Sequence, residues 1–194
     1  MVLLAAWCSL RFGELAGLRR RRVNLLHRTV RVEENAMELS IGRTVFGPPK
    51  TEAGRRTVAI PPELVPALEA HLGDHVGTDP EDLVFTSPEG HPLRRTKFRL
   101  RWIAACEAAG ISGVHFHDLR GSGATWAAHA GATLAELMNR LGHASPNMAM
   151  RYQHATEERD RAISERLGAL MRASDSSSEA VSAALPIAGD TDAL

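Results

Sequence analysis

One stretch of the sequence, residues 115–154, gathers the side chains that could carry out nucleophilic chemistry. It holds an HxxR pair, a Gly-His pair and the sole tyrosine of the 194-residue chain: His117, Arg120, Gly142, His143 and Tyr152. A tyrosine nucleophile needs a base that takes its proton and cations that stabilise the charge developing in its target. Imidazole and guanidinium groups can supply both functions, so this stretch is the candidate catalytic site.

Three predicted helices with tight corners position these groups. They cover Asp118–Ala130, Leu134–Leu141 and a short stretch that begins at Ser145 and Pro146. Glycines stop the first two helices, a Thr-Glu capping box opens the second, and serine followed by proline signals the start of the third. The spacing predicts that Tyr152 lies about two turns into the third helix. Short loops on such a scaffold can bring residues that are distant in sequence around one point.

The order and spacing of the reactive residues resemble those of the tyrosine site-specific recombinases of the phage integrase type. The matching pattern is His117-x-x-Arg120, then Leu141-Gly142-His143, then Tyr152 nine residues after that histidine. Each motif is weak by itself, whereas their joint order and spacing are specific. The resemblance implies that the tyrosine attacks a DNA phosphodiester and forms a 3′-phosphotyrosyl intermediate. A 5′-hydroxyl can reverse that step, and the resemblance implies no metal or nucleotide cofactor.

Two upstream motifs fit the same family pattern. Residues 9–18, SLRFGELAGL, resemble the family motif G-L-R-x-x-E-L-x-x-L, which assigns the first catalytic arginine to Arg11 and a buttressing carboxylate to Glu14. Serine in place of the first glycine is a minor departure. Lys50 matches the lysine of a K-T-x-x-x-x-R motif and is one of only two lysines in the chain. An ammonium can give up a proton and a guanidinium does not, although an ordinary solvated lysine is the alternative interpretation.

The resemblance assigns roles in phosphoryl transfer to six residues: Arg11, Lys50, His117, Arg120, His143 and Tyr152. The two arginines would hold the phosphate oxygens with fixed forks of donors. The lysine would protonate the leaving 5′-oxygen, and the first histidine would accept the tyrosine proton or orient the phosphate. The second histidine would hydrogen-bond the phosphate. The remaining candidates, His115, His129 and His154, receive no role and are interpreted as surface or core residues.

The expected fold class is α+β, mainly α, with a catalytic domain over residues 1–172 that contains a small three-stranded antiparallel sheet. Alternating residues predict strands at Thr29–Val32, Arg43–Phe46 and Arg56–Ile60, with the last two joined by a Pro- and Gly-rich turn that carries the candidate lysine. Apolar spacing predicts further helices over residues 3–10, 14–20, 61–72 and 96–109. Gly121 and Gly123 are expected to loosen the start of the helix that carries the second arginine.

The composition, 44% hydrophobic and 24% charged, is typical of a soluble globular protein. No apolar stretch is long enough to cross a bilayer, and no export signal is recognisable. Cys8 and Cys106 lie in apolar helical patterns without metal-ligand spacing, so we interpret them as reduced core residues. These features predict a cytoplasmic protein, and the resemblance implies that it is bacterial and associated with DNA.

Charge is unevenly distributed, although 23 Lys and Arg balance 23 Asp and Glu over the whole chain. Residues 173–194 hold four of the acids and no base, which leaves 23 bases against 19 acids on residues 1–172. This small, polar and acidic segment is expected to be a disordered tail. Arg19–Arg22, expected at a helix end, could interact with the helix dipole and solvent or contact phosphates. The basic face of residues 94–101 could equally be solvated or contact DNA, and the sequence does not decide between the two.

The resemblance implies double-stranded DNA and further copies of the chain as partners, with no membrane and no small-molecule substrate. A helix expected to run through Met171 could pack on its own domain or dock on a neighbouring subunit. Family members place a DNA-clamping domain before the catalytic one, and Met1 lies so close to Arg11 that we expect this chain to lack it. The alternative function is a truncated remnant that binds DNA or integrase subunits without completing recombination. A type IB topoisomerase-like enzyme is a third possibility.

Overall fold

The computed structural model of the chain describes residues 1–39, 42–152, 160–169 and 172. Its described helices are α1 (Val2–Trp7), α2 (Phe12–Ala16), α3 (Val65–His75), α4 (Arg95–Ala108), α5 (Asp118–His129), α6 (Leu134–Leu141) and α7 (Pro146–Met150). Its described strands are β1 (Val23–Asn24), β2 (Thr29–Val32), β3 (Asn35–Glu38), β4 (Thr44–Gly47) and β5 (Arg56–Ala59). The α+β, mainly helical class that the sequence predicts is confirmed.

The chain divides into two compact units, residues 1–153 and residues 154–194. In the second unit, residues 160–169 are helical, and Ile163 and Leu167 on that helix are exposed. Predictions for His154, for the helix start near residue 156 and for the tail at residues 173–194 lie outside the described residues.

A three-stranded antiparallel sheet has β2 at its centre, with β1 on one side and β5 on the other. In its register Val30 lies opposite Val58, and both side chains are fully buried. β4 pairs with β3 in a separate two-stranded sheet. The predicted pairing of Arg43–Phe46 with Arg56–Ile60 is therefore wrong, although both segments contain strands.

Packing against α2 explains why β4 pairs with β3. The sequence Asn-Ala-Met-Glu of β3 lacks the branched and aromatic residues typical of strands, so its pattern did not predict one. The strand lies directly on α2, where a Cβ added to Gly13 would stand 2.1 Å from the Asn35 side-chain oxygen. This close approach of β3 to α2 holds β3 in place by tertiary packing. The backbone N–H and C=O groups of β3 then form hydrogen bonds with β4.

Two apolar clusters hold the described part of the first unit together. The larger one joins the three-stranded sheet with α1, α2 and α3, and its fully buried side chains include Leu10, Leu15, Val30, Val58 and Val84. The smaller one joins α5, α6 and α7 through Ala128, Leu137 and Ala149. Burial of apolar surface contributes roughly 25 cal/mol per Å², so these clusters supply the main force that positions the helix ends.

Both cysteines are buried and unbridged, as the sequence predicts. Cys8 lies in the larger cluster and Cys106 on α4. Burial raises the pKa of Cys8 to about 11, because it disfavours the charged thiolate. Within the described residues, no helix is both long and apolar enough to cross a membrane.

The arginine run Arg19–Arg22 is neutralised by carboxylates. α2 ends at Ala16, not at residue 20 as predicted, and residues 20–22 form a turn of 3-10 helix. Arg19 donates to Glu34 at 2.6 Å, and Arg21 pairs with Glu81 at 2.8 Å. The predicted α-helix end at this run is therefore wrong, whereas contact of the run with phosphates stays a prediction.

Close contact between α1 and α5 depends on Gly123. A Cβ at this position would lie 1.9 Å from the backbone oxygen of Ala6 and 2.6 Å from Ser9 Oγ. The two helices also meet through stacked rings of Trp7 and Trp126, with centroids 4.5 Å apart. The expectation that this glycine loosens the helix start is wrong, because its missing side chain permits close packing.

α4 packs on the first unit mainly through aromatic rings. Phe98 lies 5.1 Å from Phe12 and 4.8 Å from Phe116, and Trp102 lies 5.4 Å from Phe116, measured between ring centroids. The helix bounds agree with the prediction to within one residue. Ile103, predicted to pack inward, remains 40% exposed.

Candidate active site

Each predicted site residue except Lys50 lies at or near a helix end in the first unit. Arg11 is the N-cap of α2, and Arg120 lies in the first turn of α5. His143 follows Gly142, which ends α6 in the left-handed conformation at φ 61°. Tyr152 lies in a turn just after α7, which ends at Met150, so the prediction that it lies inside that helix is wrong.

Arg120 is the buried centre of the candidate active-site cluster, which also contains Arg11, His143 and Tyr152. Its guanidinium donates to the backbone oxygens of Ser9 and Leu141, and its Nη2 lies 3.3 Å from His143 Nε2. Burial and the nearby charge of Arg11 lower the pKa of Arg120 to about 9. The side chain is still charged at neutral pH, and within the described residues these contacts leave two of its five N–H donors for a phosphate.

Ser9 explains why the family motif often has glycine at this position. Its φ is 55°, in the left-handed region that side chains with a Cβ rarely adopt. This turn lets the Ser9 carbonyl accept from Arg120, while the buried Ser9 Oγ has no hydrogen-bond partner among the described residues. The position is thus selected for its backbone, and the hydroxyl adds nothing to the site.

His143 is held as a neutral imidazole. Burial, followed by the charges of Arg120, Arg11 and Arg56, lowers its pKa to about 4. Because a guanidinium only donates, the Nε2 that faces Arg120 must accept, and the ring proton therefore lies on Nδ1. That buried Nδ1 has no partner among the described residues.

Glu14 fixes Arg11 at the mouth of the cluster. One carboxylate oxygen of Glu14 accepts from Arg11 Nη1 at 2.8 Å and the other accepts from the Arg11 backbone N–H at 2.8 Å. Burial acts to raise the pKa of Glu14, but hydrogen bonds and charge from Arg56, reinforced by Arg11, lower it to about 2. The carboxylate stays ionised, and it holds the partly exposed Arg11 guanidinium toward the site, as the sequence predicts for a buttress.

Tyr152 stands over the first turn of α5. Its hydroxyl oxygen would lie 4.0 Å from a Cβ added to Gly121, the residue that follows Arg120. Its ring is half-buried against the smaller apolar cluster, and its backbone N–H donates to Ala149. The phenol is close enough to Arg120 for a tyrosinate charge to favour the protonated guanidinium. The hydroxyl therefore lies over the helix turn that carries Arg120.

His117 lies exposed at the N-cap of α5, on the rim of the cluster. Partial desolvation of its ring and the charges of Arg120 and Arg11 hold its pKa below the ordinary value. A neutral imidazole can accept a proton, which suits the base expected at this position.

Lys50 is not brought into the cluster. It is exposed on the loop between β4 and β5, and no hydrogen bond or ion pair holds its ammonium within the part of the chain that the structure describes. It lines a groove of about 670 Å³ together with Phe12 and Arg95. Arg95 also lines the neighbouring groove of about 630 Å³ that contains Arg11 and His117. The lysine thus lines a different groove from Arg11 and His117.

The cluster can bind a tetrahedral anion and attack it. Two guanidinium groups, a neutral imidazole and a phenol surround one small region of the first unit, and no carboxylate other than the ion-paired Glu14 enters it in the described residues. Phosphate oxygens match the forks of arginine donors, and a phenolic oxygen can displace an ester oxygen at phosphorus. The geometry favours phosphoryl transfer to a tyrosine.

Residues 1–159 match the sequence profile of the phage integrase family. The chain belongs to this family. It is 45% identical over 172 residues to a putative prophage phiRv2 integrase of Mycobacterium tuberculosis, a match that covers 87% of the chain and 45% of the relative. It is 39% identical over 175 residues to the integrase of Mycobacterium phage L5, covering 88% of the chain and 47% of that integrase. The chain thus spans about half the length of these relatives.

Solved structures of tyrosine recombinases share the fold. The Tn1549 transposon integrase, solved in complex with a circular intermediate DNA, superposes with a TM-score of 0.72 at 22% identity, over 86% of this chain and 57% of that one. The XerA recombinase superposes with a TM-score of 0.63 at 22% identity, over 84% and 55% of the two chains.

The structure adds one residue that sequence reasoning missed in this phage integrase family member. Arg56, the arginine of the K-T-x-x-x-x-R motif, is buried and donates through Nη1 and Nη2 to the two oxygens of Glu14 at 3.0 and 2.9 Å. Its position in the motif quoted for Lys50 was the available signal. No role followed from it, because Arg56 was interpreted only as part of a predicted strand.

Proposed function

We propose that the chain, over residues 1–172, is the catalytic domain of a tyrosine recombinase that cuts and rejoins duplex DNA. The observation that supports this most directly is the convergence of Arg11, Arg120 and His143 beside the hydroxyl of Tyr152. Membership of the phage integrase family supports the same chemistry.

The proposed reaction is an in-line displacement at phosphorus. The oxygen of Tyr152 forms a bond to phosphorus, its proton passes to His117, and the bond from phosphorus to the 5′-oxygen breaks. Lys50 gives a proton to that leaving oxygen. Arg11 and Arg120 stabilise the charge on the non-bridging oxygens. Attack by another 5′-hydroxyl on the phosphotyrosine then rejoins the strand and restores the tyrosine.

The proposed partners are double-stranded DNA and further copies of the chain, because strand exchange requires two cuts held in one assembly. The related Tn1549 integrase is described in complex with a circular intermediate DNA, and XerH recombinase with its difH substrate. We place the chain on DNA in a bacterial cytoplasm. A second candidate, binding of DNA or integrase subunits without completed recombination, predicts DNA retention but no covalent product.

Trapping the phosphotyrosine separates these two functions. The purified chain is incubated with a pool of duplexes of random sequence that carry a nick, so that the short strand released by cleavage diffuses away and cannot rejoin. We expect a protein–DNA adduct that survives denaturation, with Tyr152→Phe giving none. The matched control is His129→Phe, which changes an aromatic ring outside the cluster and should still form the adduct. Retention of DNA without adduct in the parent would support the second candidate.

A further inference from the structure

Arg56 is almost completely enclosed, with 1% of its side chain exposed. Such a buried arginine is destabilising unless each donor finds an acceptor. Its Nη1 and Nη2 grip both oxygens of Glu14, its Nε donates to the backbone oxygen of Arg140 at 2.8 Å, and Nη1 also donates to the oxygen of Gly54 at 3.1 Å. One side chain on β5 is thereby bonded to α2, to the 3-10 turn Glu52–Gly54 and to α6.

These bonds lead to two residues of the candidate active site. The Glu14 carboxylate that Arg56 grips is the same group that holds the Arg11 side chain and backbone. On the other side, a Cβ added to Gly142 would lie 3.0 Å from Arg56 Nη1, so the α6 end that presents His143 rests directly on the guanidinium. No described contact brings Arg56 itself to the reacting groups.

We propose that Arg56 is a positioning residue, which sets the orientation of Arg11 through Glu14 and fixes the α6 end beneath His143. The bidentate grip holds the carboxylate in one plane, and that plane decides where the Arg11 guanidinium points. A lysine at position 56 supplies one point charge and cannot reproduce the planar fork. This role rests on the proposed strand cleavage for its kinetic consequence, whereas the coupling between Arg56 and Glu14 does not.

Loss of Arg56 changes when Glu14 is ionised. The charged groups that face Glu14 are Arg11 from the start of α2, Arg56 from β5, Arg120 from α5 and His143 from the end of α6. Burial raises the pKa of this carboxyl, and the bonds from Arg56 are the strongest opposing influence. In Arg56→Met the pKa of Glu14 therefore rises from its parent value of about 2.

The ionisation of Glu14 can be followed without any activity. The chain is labelled with ¹³C at glutamate carboxyls, and the Glu14 signal is identified by its disappearance in Glu14→Gln. Between pH 3 and 7 we expect the signal to titrate at a higher pH in Arg56→Met than in the parent. An unchanged Glu14 signal in Arg56→Met, with the fold retained, overturns the proposal.

The second measurement is the rate of adduct formation, compared in a double-mutant cycle. Misplacement of a binding group by about 1 Å costs about 100-fold in rate, and we expect a loss of that size in Arg56→Met. Since Arg56 acts in part through Arg11, the combined loss in the double variant Arg11→Ala/Arg56→Met should be smaller than the product of the two single losses. Losses that multiply in the double variant would make Arg56 merely structural and overturn the proposal.

Two further variants keep the kinetic result interpretable. Arg20→Met removes another partly buried arginine that donates to a backbone oxygen, that of Leu72 at 3.0 Å, and should leave the rate unchanged. If Arg56→Met fails to fold, Arg56→Lys retains the buried charge and replaces it in the cycle, with the same non-additive loss expected. A parent chain that forms no adduct sinks the proposed cleavage, while the carboxyl titration still decides the coupling.

Discussion

Arg120 brings together three segments that are far apart in sequence. Its guanidinium donates to Ser9 and Leu141, and it faces His143 across 3.3 Å. At the residue scale the sequence could predict which types stand at these positions, because the motif spacing is local. It could not predict that two donors of the catalytic candidate Arg120 are used by backbone oxygens, since a long-range hydrogen bond to a carbonyl leaves no trace in residue type.

Ser9 and Arg56 mark the same limit. The left-handed φ of Ser9 follows from the fold, so serine in a glycine position was taken as minor although it leaves a buried hydroxyl without a described partner. Arg56 stands beside Arg55 in the sequence, yet only one of the two turns inward to Glu14. Strand orientation decides which one does, and orientation requires the register that only the assembled sheet supplies.

His143 predicts how stability depends on pH. Its pKa is about 4 in the folded chain and about 6.5 in the unfolded chain, so between these values only the unfolded chain binds the proton. The contribution of His143 to the free energy of unfolding is fully present above about pH 6.5. It decreases by about 1 to 3 kcal/mol as the pH falls toward 4. Urea unfolding of the parent and His143→Gln from pH 4.5 to 8 measures the difference, and the glutamine variant should show the weaker pH dependence.

The remaining titrating groups do not obscure that comparison. His117 also has a lowered pKa and adds a change of the same sign to both proteins. Glu14, with its pKa lowered to about 2, contributes stability that is lost only below about pH 4.5, outside the measured range. Equal slopes for the parent and His143→Gln would show that this ring is not buried neutral.

At the element scale, helices were predictable where their signals are local. The bounds of α6 and its capping box of Thr133 and Glu136 follow from a few adjacent residues, and the structure has both. Strand pairing was not predictable, because β4 and β5 both alternate and either could pair with the other. In the structure β4 pairs with β3, a strand without a strand-like sequence. Close packing at Gly13 of α2 holds β3 in place.

The glycines of α5 give a matched pair of variants for helix packing. Gly123→Ala places a methyl group 1.9 Å from the backbone oxygen of Ala6, so α1 and α5 must separate, and we expect a loss of stability of about 1 to 3 kcal/mol. In Gly121→Ala the new methyl group lies 3.9 Å from Tyr152, an ordinary contact, and the helix gains propensity of up to about 1 kcal/mol. Thermal and urea unfolding should therefore both show Gly123→Ala to be less stable than the parent and Gly121→Ala to be more stable. Equal effects would mean that the helix contact is looser than the structure has it.

At the scale of the whole molecule, net charge was a poor guide to where DNA could bind. The four arginines of residues 19–22 are the densest basic run, yet ion pairs with Glu33, Glu34 and Glu81 occupy three of them. The motifs, and not the charge count, identified the arginines of the cluster. Local charge density fails here because acids distant in sequence fold back onto it.

Lys50 is the predicted site residue that the structure does not bring into the cluster. It lines a different groove from Arg11 and His117, on a loop that joins two separate sheets. If it donates the proton, Lys50→Ala should slow adduct formation by about 100-fold or more at saturating DNA, because general acids contribute factors of this order. Replacing the leaving 5′-oxygen by sulfur, once the cleaved bond is mapped, removes the need for a proton and should restore the parent rate. Lys97→Ala, at the other lysine of the chain, should match the parent on both substrates. A Lys50→Ala defect that persists with the sulfur substrate would assign this lysine to DNA contact.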